Sequence, residues 1–130
     1  MNKKIYVGIN IQNPISRLII EGKKSIETRT YKIPPNYIGK EMLLVETPGK
    51  TGKFKSRIIA IIKFSSSFKY NSEAEFYEDL KRHCVKPNTI WSWKDDKPKY
   101  GWPVTVIKVL SKTIPMKKKN GIKYTKNLTL

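Results

Sequence analysis

A short helix that stops at a glycine and leads at once into a charged strand constrains this fold most. Asn13-Pro14 is typical of a helix start, with Asn13 as the N-cap and Pro14 at the first helical position. An apolar stripe at helical spacing follows, formed by Ile15, Leu18 and Ile19. Gly22 is predicted to end the helix as its C′ residue. Barely two helical turns therefore precede the next element.

That next element is predicted to be a strand from Ser25 to Tyr31. Side chains alternate between the two faces of a strand, so Glu27 and Arg29 share a face with Ser25 and Tyr31, while Ile26 and Thr28 point the other way. Lys24 lies at the turn, within reach of the same spot. We therefore expect Lys24, Glu27 and Arg29 to meet.

This charge triad has two interpretations. In the functional one, Arg29 binds a phosphate or a base edge, Glu27 accepts from an exocyclic amine or acts as a base, and Lys24 neutralises negative charge. In the structural one, Glu27 and Arg29 form an ion pair that fixes the strand, and Lys24 is solvated.

The rest of the chain indicates short strands and a second helix. Predicted strands cover Ile5 to Asn10, Glu41 to Thr47, Arg57 to Phe68 and Val104 to Leu110, and the tail from Pro115 to Leu130 is expected to add an edge strand. Ser72-x-x-Glu75 is a capping box, followed by an apolar face of Phe76, Leu80 and Cys84. The order β-α-β-β-β-α-β predicts one compact α/β (α+β) domain, residues 1–130, built as a small mixed barrel with short flanking helices.

Charge is the second strong constraint. The 130 residues carry a net charge of +17, and 23 of the 27 basic residues are lysine. Residues 1–71 and 86–130 are basic, whereas residues 72–85 are slightly acidic. Two basic segments beside an acidic helix favour a polyanionic partner, most simply a nucleic acid, although a merely solubilising charge is the alternative.

The remaining composition excludes several classes of protein. With one cysteine, Cys84, and one histidine, His83, the chain has no disulfide framework and no multi-cysteine or histidine-rich metal site, and we expect no cofactor. His83 is expected at the surface or half-buried, and Cys84 in the apolar stripe. The first residues do not resemble a signal peptide, and the longest apolar run, Ile58 to Ile62, is too short to cross a bilayer. A soluble cytoplasmic protein, most simply a monomer, is expected.

All three tryptophans lie in one lysine-rich segment. Trp91, Trp93, Tyr100 and Trp102 alternate with Lys94, Lys97 and Lys99. Aromatic rings beside cations offer stacking platforms for bases next to phosphate contacts, although some of these rings must fill the core. Trp93 or Trp102 is predicted to stack on a ligand, and Trp91 to be in the core.

The motif Gly22-x-Lys24-x-x-Glu27-x-Arg29, after a helix that begins at Asn13-Pro14, resembles the signature of the ASCH domain family in the PUA-like superfamily. Asn10 to Pro14 is similar to the family's entry segment, and Tyr100-Gly101-Trp102 with the strand after it resembles the closing segment. The resemblance implies a barrel with RNA bound in a cleft beside it, or hydrolysis. We predict that the following residues contact nucleic acid: Lys24, Glu27, Arg29, Asn13, Tyr31, Trp93, Lys94, Tyr100 and Trp102.

The leading hypothesis is a module that holds a single-stranded or extruded nucleotide of RNA, or a nucleoside. The alternative is a hydrolase of RNA or of a modified nucleoside, with Lys24 and Glu27 as catalytic residues. Small bacterial family members deacetylate acetylated cytidine with a threonine where this chain has Glu27, and Thr28 is expected on the opposite face of the strand. A third hypothesis is a DNA-binding or anti-nuclease accessory protein.

Overall fold

The computed structural model describes residues 4–49, 53–116 and 124–130, apart from the side chain of Asn127. Ten helices and strands are described within these ranges, and one 3-10 turn lies at Pro35–Tyr37. They are β1 (Ile5–Gln12), α1 (Ile15–Ile20), β2 (Ile26–Arg29), β3 (Glu41–Thr47), β4 (Arg57–Phe64), β5 (Phe68–Tyr70), α2 (Glu73–Glu78), α3 (Leu80–His83), β6 (Lys99–Pro115) and β7 (Tyr124–Thr129).

One mixed sheet in the order β2-β6-β4-β3-β1-β7 forms a half-barrel, and β5 pairs with the first residues of β6. β1 and β3 are parallel, and the other pairs are antiparallel. The 17-residue β6 links β2 to the central strands, because its first residues pair with β2 and its later ones with β4. The prediction of a small barrel-like α+β fold is therefore confirmed.

Apolar side chains pack on both faces of the central strands. The larger cluster lies between the sheet and α1 and includes Ile9, Ile19, Leu44, Ile62 and Trp102. A smaller cluster around Leu43 and Ile61 covers the opposite face. Strands β3 and β4 are buried on both faces, which explains their nearly continuous apolar sequences.

Local sequence signals set several boundaries. Gly22 has a φ of 77° and follows α1 directly, as a C′ glycine does. The Oγ of Ser72 accepts a hydrogen bond of 3.1 Å from the backbone N–H of Glu75, so the predicted N-cap is confirmed. The tail supplies the edge strand β7 beside β1, whereas residues 117–123 of the tail lie outside the described ranges.

Other boundaries differ from the prediction. The predicted strand from Arg57 to Phe68 ends at Phe64, and Phe68 begins the separate strand β5. The predicted second helix is divided at Asp79 into α2 and α3. The predicted N-cap role of Asn13 is wrong, because Pro14 occupies the cap position and the amide of Asn13 binds Glu46.

The division at Asp79 redirects the side chains that follow it. His83 is fully buried rather than at the surface or half-buried, and it stacks on Phe76 with ring centroids 4.0 Å apart. Its Nδ1 accepts from the N–H of Val85 at 2.9 Å, so Nε2 donates to the carbonyl of Phe76 at 2.6 Å. Cys84, expected in the apolar stripe, instead ends α3 with a φ of 61° and points its thiol at the carbonyl of Lys23.

Within the described ranges, no helix has the length and apolar character needed to span a membrane.

Candidate functional site

A cavity of about 440 Å³ opens between the end of β1, the strand β2 and the segment that follows α3. We call it the cleft. Backbone topology brings its walls together, since α1 returns the chain from β1 to β2 and the 85–91 segment closes the far side. Its lining residues are Asn10, Ile11, Gln12, Ile15, Lys24, Glu27, Thr28, Arg29, Thr47, Val85 and Trp91.

The three charged residues of the motif meet in this cleft. The carboxylate of Glu27, only 6% exposed, lies between the two cations. Its Oε2 accepts from Nη2 of Arg29 at 3.1 Å, and its Oε1 is 3.7 Å from Nζ of Lys24. The backbone N–H of Thr28 also donates to Oε1, at 3.2 Å. The predicted meeting of Lys24, Glu27 and Arg29 is thus a feature of the structure.

Lys24 is the most unusual cation of the cleft. Its side chain is buried, and Nζ donates to the backbone carbonyl of His83. Burial lowers the pKa of Lys24 below its usual value, and the charge of Glu27 opposes this shift only in part. Lys24 therefore loses its proton more readily than a lysine at the surface.

Arg29 is held by three strands. Besides Glu27, its Nη2 reaches the carbonyl of Asn10 at 3.4 Å, and its guanidinium lies 5.7 Å from the ring centre of Trp102. Burial opposes its charge, but Glu27, Tyr31 and Tyr124 together outweigh burial and raise the pKa of Arg29. Nε of Arg29 is buried without a hydrogen-bond partner among the described residues. The arginine is therefore a fixed part of the cleft wall.

The tryptophans exchange their predicted places. Trp102, predicted as a possible stacking residue, is fully buried, with Nε1 bonded to the carbonyl of Tyr31 and its ring edge-on to Phe64. Trp91, predicted to be in the core, is 45% exposed and lines the cleft. Both predictions are wrong, because strand pairing turns Trp102 inward opposite Glu27 while Trp91 lies in the turn before β6.

The backbone of Trp91 is held by a lysine side chain. Its backbone carbonyl accepts a 2.8 Å hydrogen bond from Nζ of Lys99, a largely buried lysine. Burial, followed by repulsion from Lys94 and other lysines, lowers the pKa of Lys99. Trp93, the other predicted stacking residue, packs on Phe76 and bonds Asp95 through Nε1, away from the cleft lining.

The four other predicted contacts do not line the cleft either. Asn13 binds Glu46, and Tyr31 shares a 2.9 Å hydroxyl hydrogen bond with Tyr124. Tyr100 packs against the core opposite Arg29, and Lys94 is exposed. Thr28, expected on the opposite face from Glu27, does contribute to the cleft wall, as does Thr47.

Sequence reasoning missed a second buried carboxylate beside the cleft. Glu46 has no exposed surface and binds Arg17 through two hydrogen bonds of 2.9 and 3.1 Å. Arg57, Ser16 and Asn13 also donate to it. Burial alone raises the pKa of Glu46, but hydrogen bonds from Ser16, Arg17, Asn13 and Arg57 lower it to about 2. The only sequence signal is a single acid at the end of an apolar strand.

A metal ion would need a cluster of ligating side chains. Nowhere in ranges 4–49, 53–116 and 124–130 do three His, Cys, Asp or Glu side chains lie close enough together to hold one.

The half-barrel and its charged cleft define a small, barrel-like α+β module of a kind that recurs among solved structures. The structure is similar to one described as the crystal structure of ASCH from Zymomonas mobilis, with a TM-score of 0.67. The match covers 93% of this chain and 86% of that one at 11% sequence identity. No protein-family model matches the sequence, and a search of curated proteins finds no relative. The chain therefore has an ASCH-like fold, as the motif resemblance predicted.

Proposed function

We propose that this protein binds RNA and holds one nucleotide of a single strand, base inward, in the cleft. The observation that carries the proposal is a buried carboxylate, Glu27, fixed between Lys24 and Arg29 in the wall of an open cavity. The cavity volume falls within the range of roughly 300–1,000 Å³ typical of small-ligand sites. An ASCH-like fold and a net charge of +17 support the same assignment.

Glu27 is suited to read a base edge. An ionised carboxylate has about four acceptor positions, and here Arg29, Lys24 and the N–H of Thr28 occupy only part of that capacity. An exocyclic amine of cytosine, adenine or guanine can donate to the remainder, whereas uracil has no such amine. Trp91, exposed at the opposite wall, offers a surface on which the base can stack.

The test compares oligonucleotides on Glu27→Gln and the wild type, with affinity measured by fluorescence anisotropy. We expect the wild type to prefer one amine-bearing homopolymer over oligo(U), and the variant to lose about 1–3 kcal/mol of that preference. Affinity for oligo(U) should change little, because phosphate contacts supply it. Glu41→Gln, which removes the same charge from an exposed ion pair with Lys4, is the matched control. An unchanged preference in a folded Glu27→Gln variant contradicts the role of Glu27.

Hydrolysis is the second candidate function, favoured by a buried lysine 3.7 Å from a carboxylate in the cleft wall. In this reading Glu27 acts as a general base toward water, and Lys24 stabilises negative charge that develops on the substrate. The test is turnover of acetylated cytidine and of short RNA by the wild type. Brisk hydrolysis that falls by two to four orders of magnitude in Glu27→Gln overturns the binding-only proposal.

The third hypothesis, a DNA-binding accessory protein held to its partner by charge alone, predicts an affinity for duplex DNA at least equal to that for single-stranded RNA, because the duplex has the higher charge density. Because the cleft accepts a base only when that base is unpaired, the RNA-binding proposal predicts a clear preference for the single strand. The same anisotropy assay, run with duplex DNA, separates the two.

A further inference from the structure

A second, smaller cavity adjoins the cleft. It has a volume of about 150 Å³ and shares four wall residues with the cleft: Ile15, Lys24, Val85 and Trp91. Its own walls come from Leu18 on α1, His83 at the end of α3, and Cys84, Lys86 and Thr89 of the segment that follows. Trp91 is therefore part of both cavities rather than the wall of one.

We propose that the smaller cavity is a subsite for a second nucleobase, the neighbour of the one held in the cleft. This inference rests on the proposed function and extends it from one nucleotide to a dinucleotide step. The volume is about half the lower limit of ordinary ligand pockets, so it suits a base without its sugar rather than a whole nucleoside.

The walls of the smaller cavity suit the flat face of a base. Leu18, Ile15 and Val85 supply apolar surface, and Trp91 supplies an aromatic ring. Base–aromatic stacking is tolerant of sequence, because every base has a π-face. His83 adds no hydrogen-bonding group, because Phe76 and Val85 already satisfy both of its ring nitrogens.

Besides Lys24, the smaller cavity has two polar side chains, Lys86 and Thr89, that lie in one turn. Lys86 is exposed, and its backbone carbonyl accepts a 2.9 Å hydrogen bond from the hydroxyl of Thr89. This bond fixes the turn that carries both side chains. A cation at this position can contact the phosphate that links the two nucleotides, as a point charge that adds affinity without reading sequence.

Shared walls imply that the two cavities fill together. A base in the cleft and a base in the smaller cavity both order Trp91, whose backbone Lys99 already holds. A dinucleotide should therefore gain affinity beyond that of one nucleotide plus one phosphate. The expected signature is a step in affinity between one and two nucleotides that requires the second base.

The experiment measures affinity for three ligands by calorimetry: a 5′-mononucleotide, a dinucleotide, and a dinucleotide whose second residue is an abasic ribose, each tested with the cleft-preferred base in either order. We expect the complete dinucleotide to bind at least tenfold more tightly than the abasic one. Equal binding of the complete and abasic ligands overturns the subsite. A wild type that binds none of the three refutes the proposed function as well, so the two failures are distinguishable.

Two variants test the same point from the protein side. Leu18→Phe places bulk in the smaller cavity and should abolish the gain from the second base while changing mononucleotide affinity less than twofold. Leu110→Phe, a substitution at a partly buried site on the opposite face of the sheet, is the control and should keep the gain. If Leu18→Phe retains the gain, the second base lies elsewhere and the inference is wrong.

Lys86→Ala covers the case in which Leu18→Phe does not fold, because Lys86 is exposed. It should weaken the dinucleotide and the abasic ligand equally, by several-fold, because both carry the linking phosphate. Lys81→Ala removes an exposed charge of α3 that lines neither cavity, and should change none of the three affinities. Identical behaviour of the two lysine variants contradicts the placement of the linking phosphate.

Discussion

At the scale of single residues, arginine and lysine have different roles in this chain. All four arginines are held by carboxylates: Arg17 and Arg57 by Glu46, Arg29 by Glu27, and Arg82 by Asp79. The planar guanidinium fork matches a carboxylate, which explains why arginine is used where geometry must be fixed. The unpaired charge that can contact a polyanion comes mainly from the lysines.

Glu46 is predicted to be the most costly charge to remove. Glu46→Gln leaves Arg17 and Arg57 without their anionic partner in a site where the carboxylate has no exposed surface. Breaking such a pair costs about 3–5 kcal/mol, and the partly exposed arginines bring the expected loss toward 3 kcal/mol. Urea denaturation measures it, with the exposed Glu41→Gln as the control. A loss below about 1 kcal/mol in Glu46→Gln contradicts the role given to this network.

The lowered pKa of Glu46 predicts that the folded protein loses stability in acid. Hydrogen bonding and ion pairing depress the pKa of Glu46 from 4.5 to about 2 in the folded state, so the unfolded chain binds the proton more tightly. Its contribution to stability is complete above pH 4.5 and is lost as the pH falls toward 2. The difference in melting temperature between the wild type and Glu46→Gln should therefore shrink over this interval. A difference in melting temperature that stays constant from pH 6 to pH 2 contradicts the low pKa of Glu46 in the folded state.

At the scale of elements, the sequence predicts what short-range patterns determine. Strand β3 runs from Glu41 to Thr47 as predicted, and Gly22 ends α1, because hydrophobic patterning and a positive φ are local properties. The motif strand brings Glu27 and Arg29 together for the same reason. The motif strand and the turn before it supply the charged wall of the cleft.

The remaining features of the cleft and its surroundings depend on contacts between residues that are distant in sequence. Both Trp91 and Trp102 lie in the aromatic, lysine-rich segment, and the pairing of β6 with β2 turns the ring of Trp102 inward. The burial of His83 depends on the break between α2 and α3, and Glu46 finds its arginines on α1 and β4. No pattern of period 2 or 3.6 contains this information.

The turn that carries Trp91 yields a prediction in fluorescence. Binding of RNA should quench or shift tryptophan emission, and Trp91→Phe should remove most of the response because only Trp91 of the three lines the cleft. Trp93→Phe should keep the response, since Trp93 packs on Phe76. Trp91→Ala should also cost roughly 1–3 kcal/mol of binding. If the response persists in Trp91→Phe and disappears in Trp93→Phe, the cleft is not where the base binds.

At the scale of the whole molecule, acidic and basic side chains are unevenly distributed over the surface. Helix α2 carries Glu73, Glu75 and Glu78, which makes its exposed face the acidic part of a basic protein. A polyanion approaching the molecule should avoid this face. The cleft lies on the side formed by β1, β2 and the segment after α3, and this segment carries the exposed Lys86. The field of the protein therefore favours an approach to the cleft.

The last prediction concerns how salt acts on that approach. If about six phosphates are neutralised by lysines, affinity for single-stranded RNA should fall by about three orders of magnitude between 50 and 200 mM salt, because condensed counterions are released on binding. A free nucleoside of the preferred base has no phosphate, so its weaker affinity should barely change over the same range. This pair of titrations separates the charge of the surface from the chemistry of the cleft. A flat titration with RNA, or a nucleoside as salt-sensitive as the RNA, refutes the division of roles between surface lysines and the Lys24–Glu27–Arg29 cleft.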